Sequence, residues 1–290
     1  MLTAAEKLLF GTAGIPLATP TDSSLAALDQ IIRLKLDGME LEFVKGTKMG
    51  TDTAQAIRDK AARLGIALSV HAPYFINLNS DDQGKRLMSR ERLLNSARLA
   101  RACGARSLVF HAGYYGQDPA EKALETIKAE LKEILSILRA EKNGVVLRIE
   151  TMGKRSQFGS FDEVLSLCRA LEGLQPCLDF SHIYAREGKV NSYDGFRRIL
   201  SKVRKKLGEK ALNDVHIHIS GADFNDKGEI RHINLADSDF RAEDWIRALR
   251  EFGVRGWSSA RAPTSRRTRC GLRTSTDRRN SSMPEAPSRY

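Results

Sequence analysis

The sequence predicts an α/β chain, a TIM (β/α)8-type barrel in which seven βα units are clear and the eighth is missing or altered. Three observations carry this expectation. From residue 8 onward, short β-rich apolar runs alternate with longer stretches of helical period, the pattern of a parallel sheet wrapped by helices. The alternation repeats seven times before residue 256. The length of 290 residues suits one large barrel or two ordinary domains.

Taken in order, LLFGTAGI (8–15) is followed by a helix through SLAALDQIIRLKL (24–36), and GMELEFV (38–44) by one through TDTAQAIRDKAARLG (51–65). IALSVHAP (66–73) precedes the long helix QGKRLMSRERLLNSARLARACG (83–104). ARSLVFHAG (105–113) precedes DPAEKALETIKAELKEILSILRAEK (118–142), with Asp118-Pro119 expected as cap and first-turn pair. VVLRIET (145–151) leads to SFDEVLSLCRALEG (160–173), whose Ser160 to Glu163 spacing is that of a capping box. QPCLDFSH (175–182) leads to SYDGFRRILSKVRKKLG (192–208), and DVHIHISG (214–221), after a loop, to AEDWIRALREFG (242–253). Gly65, Gly104, Gly173, Gly208 and Gly253 are each expected to close a helix.

Composition narrows the function classes. A hydrophobic fraction of 41% and a charged fraction of 29% describe a globular chain, and no apolar run approaches the roughly 20 residues of a membrane-spanning helix. The four cysteines form no CxxC pair, which suggests neither a zinc ribbon nor a disulfide scaffold. The N-terminus lacks the basic start and sustained apolar core of a secretory signal. A cytoplasmic monomer with no membrane partner is the expectation. The formal charge of +11 is unevenly spread: residues 257–290 hold eight arginines and only Asp277 and Glu285 in opposition. More than half of the basic excess therefore sits in one tail.

That tail is where the eighth unit belongs, because a closed parallel barrel takes eight strands. WSSARAPTSRRTRCGLRTSTDRRNSSMPEAPSRY contains no Ile, Val or Phe and neither period, so residues 1–256 are read as the barrel and 257–290 as a basic irregular tail. A changed reading frame accounts for it. Codons TGG TCA TCT GCG AGA GCC CCA, legitimate for Trp257 to Pro263, read one base earlier after a Gly256 codon ending in G as Val-Val-Ile-Cys-Glu-Ser-Pro. Those residues make a buried strand with a carboxylate at its end.

All six histidines lie in or just after expected strands or in the loop after the seventh. His71 ends the third strand, His111 the fourth, Glu150 the fifth, Asp179 and His182 the sixth, and His216 lies on the seventh. Barrel enzymes carry their chemistry at the C-terminal ends of strands, and a mixed imidazole and carboxylate set selects zinc or manganese. Singly, each residue also fits an ordinary structural role. Glu150, a carboxylate ending an otherwise apolar strand, requires a cationic partner.

The segments VHAPYFINLNS around His71, LVFHAG around His111, LRIETMG around Glu150, CLDFSH with Asp179 and His182, and VHIHISG with His216 resemble the endonuclease IV family of apurinic/apyrimidinic endonucleases. That family lies within the xylose-isomerase-like barrels, and the form seen here is similar to its compact archaeal or bacterial branch. The resemblance implies a site of up to three Zn2+, with Mn2+ as the alternative, hydrolysing the phosphodiester 5′ to an abasic nucleotide in DNA. His71, His111 and Glu150 would hold the first metal, Glu150, Asp179 and His216 the second, and His182 with His232 the third, while Glu150 is the catalytic bridge. Tyr74 and Asn77, on the loop after His71, match positions near the DNA in the family, and His218, on the same face as His216, is expected to support rather than ligate.

Two departures stand out. Where the family carries Asp-x-His, this chain reads Gly228-Glu229-Ile230-Arg231-His232, with Ile230 in the aspartate's place and Glu229 as the substitute within reach. The family's last carboxylate, at the end of strand eight, is replaced by Ala260-Arg261-Ala262-Pro263; the shifted frame supplies a Glu there. Two other classes remain open: a metal-dependent sugar isomerase or epimerase on the same scaffold, and a nucleic-acid-binding protein using its basic tail. The runs Arg197-Arg198 and Lys202 to Lys206 are expected on a solvated helix face.

Overall fold

A computed structural model describes residues 7–260, apart from 44, 45, 47, 48 and 189. The elements run β1 (Leu8–Ala13), α1 (Ser24–Arg33), β2 (Gly38–Glu42), α2 (Thr51–Leu64), β3 (Ala67–His71), α3 (Gln83–Ala102), β4 (Ser107–Phe110), α4 (Ala120–Ala140), β5 (Val146–Glu150), α5 (Phe161–Ala170) and β6 (Leu174–Asp179). They continue α6 (Phe180–Glu187), α7 (Tyr193–Leu207), α8 (Lys210–Asn213), β7 (Val215–Ile219), β8 (Gly221–Asn225), β9 (Gly228–Ile233), α9 (Ala242–Glu251) and β10 (Gly256–Ala260). Eight parallel strands close in the order β1, β10, β7, β6, β5, β4, β3, β2, and β8 pairs with β9 as a separate antiparallel hairpin. The chain thus forms a TIM barrel. No described helix is long and apolar enough to cross a membrane.

Local chemistry sets the boundaries. Ser160 and Glu163 form the expected reciprocal capping box at the start of α5, and Gly65 ends α2 at φ 65°, a conformation that costs a side chain. At α4 the cap differs from expectation: Pro119 is the cap residue, and the Asp118 carboxylate pairs with Lys122 at 2.6 Å. The helix after the sixth strand is also preceded by one not expected from the periodicity, α6, capped by Asp179 through its bond from the His182 backbone N–H. Apolar residues of the helices and the outward faces of the strands pack in two clusters, one around β2 to β5 with α1 to α4, the other around β6, β7, α7 and α9.

The barrel is closed where the sequence suggested an open edge. Residues 256–260 pair with β1 on one side, Trp257 opposite Leu9, and with β7 on the other, Trp257 opposite His216 and Ser259 opposite His218. The barrel therefore runs to Ala260 rather than ending at 256; the rest of the expected tail, 261–290, lies outside the described residues. Strand pairing needs only backbone groups, and the strand's lack of β-branched residues did not forbid it. The side chains fit unevenly. The Trp257 ring lies against Gly11 and Gly38, where no Cβ could be placed. Ser258 Oγ, Ser259 Oγ and Trp257 Nε1 are buried without a hydrogen-bond partner, each at a cost of about 1–3 kcal/mol.

The barrel interior is polar. Glu40, Ser69, Arg148, Glu150, His216 and His218 are all buried, on alternate positions of their strands, as the two-residue period of a strand requires. Arg148 reaches Asp214 at 3.0 Å near the N-terminal end; the histidines and remaining carboxylates line the opposite half.

Candidate metal centre

Three donor groups meet at the C-terminal mouth, each with its ligand atoms within 4.8 Å of one another: His71, His111 and Glu150; Glu150, Asp179 and His218; His182, Glu229 and His232. Glu150 joins the first two. Its Oε2 lies 3.0 Å from both His71 Nε2 and His111 Nε2, and its Oε1 lies 2.9 Å from His218 Nδ1. His71 is turned toward the mouth by its Nδ1, 2.7 Å from the Ala72 carbonyl. In the same way His182 Nδ1 sits 2.8 Å from the Thr151 carbonyl, which leaves its Nε2 facing Glu229 Oε2 at 3.1 Å.

The pair on β7 divides differently from expectation. It is His218, not His216, that stands with Glu150 and Asp179. Both point inward by strand period, but His216 lies one inward step deeper, about 6–7 Å along the strand. There its Nε2 is 2.9 Å from Glu40 Oε2 and its Nδ1 3.3 Å from Ser107 Oγ. Burial lowers the His216 pKa to about 4, against the opposing pull of Glu40. It does adjoin Cys177 and His218 as a fourth potential donor group.

The third group is assembled by an irregularity. In a regular strand, residues 229 and 232 would face opposite ways. Between β8 and β9, however, Asp223 is opposite Arg231 and Phe224 opposite Glu229, so Ile230 is the extra residue of a bulge. Ile230 is exposed, and Glu229 turns inward with His232, whose Nε2 is 3.4 Å from Glu229 Oε1. Ile230, where the resemblance expects aspartate, takes no part. Burial would lower the His182 pKa, but Asp179, Glu229 and Glu150 outweigh it and push it to about 9. Burial would raise Glu229, yet His182, His232 and Lys154 hold it at about 2.

Of the two substrate-site expectations, Tyr74 is exposed at the mouth, its ring 5.0 Å from that of His71 and 5.2 Å from that of His111. Asn77 braces two loops: its Oδ1 accepts from the backbone N–H groups of Asn79 at 3.1 Å and Tyr114 at 3.3 Å. Glu40 was overlooked in the sequence, although it alternates with the apolar Met39 and Leu41 on an expected barrel strand and is buried in the interior. The sets fit divalent cations. They are imidazole and carboxylate in adjacent groups, and Asp179 Oδ2 is buried without a hydrogen-bond donor.

The family described as xylose isomerase-like TIM barrel matches residues 28–281. The chain belongs to this family. It is 42% identical over 257 residues to an uncharacterized protein of Methanocaldococcus jannaschii, covering 88% of this chain and 92% of that one. It is 25% identical over 203 residues to a probable endonuclease 4 of Aquifex aeolicus, covering 69% and 71%. Among solved structures, endonuclease IV from Thermus thermophilus superposes with a TM-score of 0.69 at 18% identity, covering 93% of this chain and 99% of that one. The 3-keto-D-glucoside 4-epimerase YcjR from E. coli gives 0.70 at 14%, covering 93% and 98%. Fold likeness is therefore equal for a nuclease and an epimerase, and chemistry must separate them.

Proposed function

We propose that the chain is a metal-dependent apurinic/apyrimidinic endonuclease, hydrolysing the phosphodiester 5′ to an abasic site in DNA. One observation carries the reading: the donors form three adjacent groups, two of them sharing Glu150. A single cation beside a sugar carbonyl needs one such group. A phosphodiester transition state spreads negative charge over attacking, leaving and equatorial oxygens, which several neighbouring cations match. The probable endonuclease 4 relatives point the same way.

Bound divalent ions, zinc by this reading, would supply Lewis acidity and a water acidified toward neutral pH. His71, His111 and Glu150 would hold one, Glu150, Asp179 and His218 a second, and His182, Glu229 and His232 a third. The protein's own part is to fix these donors and present the substrate. Glu150 divides its two oxygens between the first two groups. Tyr74 offers an exposed ring beside them, suited to packing on a nucleoside sugar turned out of the duplex. Lys154, exposed and close enough to Glu229 to lower its pKa, is placed to meet a backbone phosphate.

The test is a duplex oligonucleotide carrying one tetrahydrofuran abasic analogue, incubated with zinc-loaded or manganese-loaded protein. Nicking 5′ to the analogue, leaving a 3′-hydroxyl and abolished by chelator, is expected. No nicking together with epimerisation of a ketose would instead assign the site to sugar chemistry. Salt-sensitive DNA binding that is unaltered when Glu150 is replaced and lost on deleting 261–290 would assign it to the basic tail.

A further inference from the structure

We propose that Glu40 is a positioning residue that orients His218 for metal binding, an inference that rests on the metal-centre reading above. Glu40 lies on β2, across the barrel from β7, and is completely buried. Its Oε1 is 2.9 Å from His218 Nε2, a charge contact in which the ring N–H is not aligned on the oxygen. Its Oε2 is 2.9 Å from His216 Nε2 and accepts from Ser69 Oγ at 3.0 Å. His218 Nδ1, on the other side of the ring, is 2.9 Å from Glu150 Oε1 and belongs to the group with Asp179. A histidine ring can present a lone pair to a cation from one nitrogen only while the other carries the proton. A carboxylate this close to Nε2 favours the proton on that nitrogen by its charge, so that Nδ1 is the ligand atom. A carboxylate behind a ligating imidazole both fixes its tautomer and raises its basicity.

His216 and Ser107 extend the same chain inward. His216 faces Ser107 through Nδ1 and Glu40 through Nε2, so it anchors the carboxylate from below. This explains why β7 carries His-x-His: the outer ring serves the mouth and the inner one the support.

Zinc-titrated protein and its Glu40→Gln variant test the assignment. Glutamine keeps the size but offers one acceptor where glutamate has two. Zinc affinity, measured by competition with a chromophoric chelator, is expected to weaken by roughly 10–100-fold for one class of site, with the class lost in Glu229→Gln unchanged. In zinc-loaded protein labelled with nitrogen-15 at histidine, His218 is expected to be protonated at Nε2 and ligated at Nδ1. Unaltered affinity in Glu40→Gln, or ligation through Nε2, overturns the role of Glu40 while leaving the metal centre standing. Failure of the native chain to bind zinc or manganese at all overturns the centre itself. The nitrogen-15 measurement is made on the native chain, so it decides the matter even if the variant does not fold.

A second inference comes from β10 alone. We infer that the gene carries one base, directly after the Trp257 codon, that is missing from the reading of this chain. Trp257 belongs to the fold, since its ring fills the space left by Gly11 and Gly38, even though its Nε1 is buried unpaired; the two following serines bury unpaired hydroxyls with no large side chain to offset them. For the codons TGG TCA TCT GCG AGA, one set that encodes Trp257 to Arg261, a single restored G gives TGG GTC ATC TGC GAG, which reads Trp-Val-Ile-Cys-Glu. Apolar side chains then replace both serines, and Trp257 is kept. The restored Glu, at position 261, lies just beyond the described residues. Sequencing the gene across this codon, with peptide mass mapping of the purified protein, is the test. An additional G is expected; a gene and peptides that both read Trp-Ser-Ser-Ala overturn the inference.

Discussion

Two parts of the mouth reach the same chemistry by different routes. The donors His71, Glu150, Asp179 and His218 are borne on barrel strands or end them, their directions set by backbone pairing on both sides. The group His182, Glu229 and His232 is held by a helix and by a two-stranded hairpin that stands outside the barrel. The first set is as rigid as the barrel. The second depends on one bulge, and the hairpin is tied to the neighbouring barrel loop by backbone bonds from Glu229 N–H to the Gly153 carbonyl at 3.3 Å and from Arg155 N–H to the Lys227 carbonyl at 3.2 Å. Strand-borne donors should therefore tolerate changes around them, whereas the hairpin group should be separable from the rest.

The largest effect is expected at the residue common to two groups. Glu150→Gln should remove zinc from both strand-borne groups and lower nicking of abasic DNA by roughly a thousandfold or more, while zinc at the hairpin group persists. Loss of all zinc would show that the two parts are one cooperative site. Next, His218→Ala should weaken metal binding more than His216→Ala does at equal fold content by circular dichroism; the opposite order would place the inner histidine at the metal. Glu229→Gln should release the hairpin group's metal, with affinity lower by at least about tenfold, and leave the strand-borne groups loaded.

A smaller effect is expected from pH in chelator-treated protein. The His182 pKa is raised to about 9 from its ordinary 6.5, burial opposing and the carboxylates of Asp179, Glu229 and Glu150 prevailing. A raised pKa contributes stability that is fully present below 6.5 and is lost as pH rises through about 9. The thermal midpoint of the metal-free chain should fall across that window, and Glu229→Gln should flatten the fall. An equally steep fall in the variant would detach Glu229 from His182. Smallest of all, Ile230→Asp should leave zinc affinity unchanged, since the bulge turns this position to solvent; a tighter site in that variant would mean that the bulge is not maintained.

The contrast also explains what could be read beforehand. Seven βα units and the strand-end placement of His71, His111, Glu150 and Asp179 follow from periodicity, because a barrel converts alternation along a strand into inside and outside. The same rule placed His216 and His218 on one face but could not say which lay at the height of Glu150; register supplies that. Glu229 and Ile230 could not be told apart without the bulge, which leaves no periodic trace. Helix α6 was hidden because its first residues continue directly from β6. Closure by β10 was hidden for the opposite reason: backbone pairing tolerates side chains that advertise no strand.

Metal counting tests the central claim most directly. Protein saturated with zinc, freed of loosely bound ions and analysed by inductively coupled plasma mass spectrometry, should carry more than one zinc per chain and lose one of them in Glu229→Gln. A single zinc per chain, retained in that variant, would contradict a multi-metal hydrolytic centre and favour one-metal sugar chemistry on the same barrel.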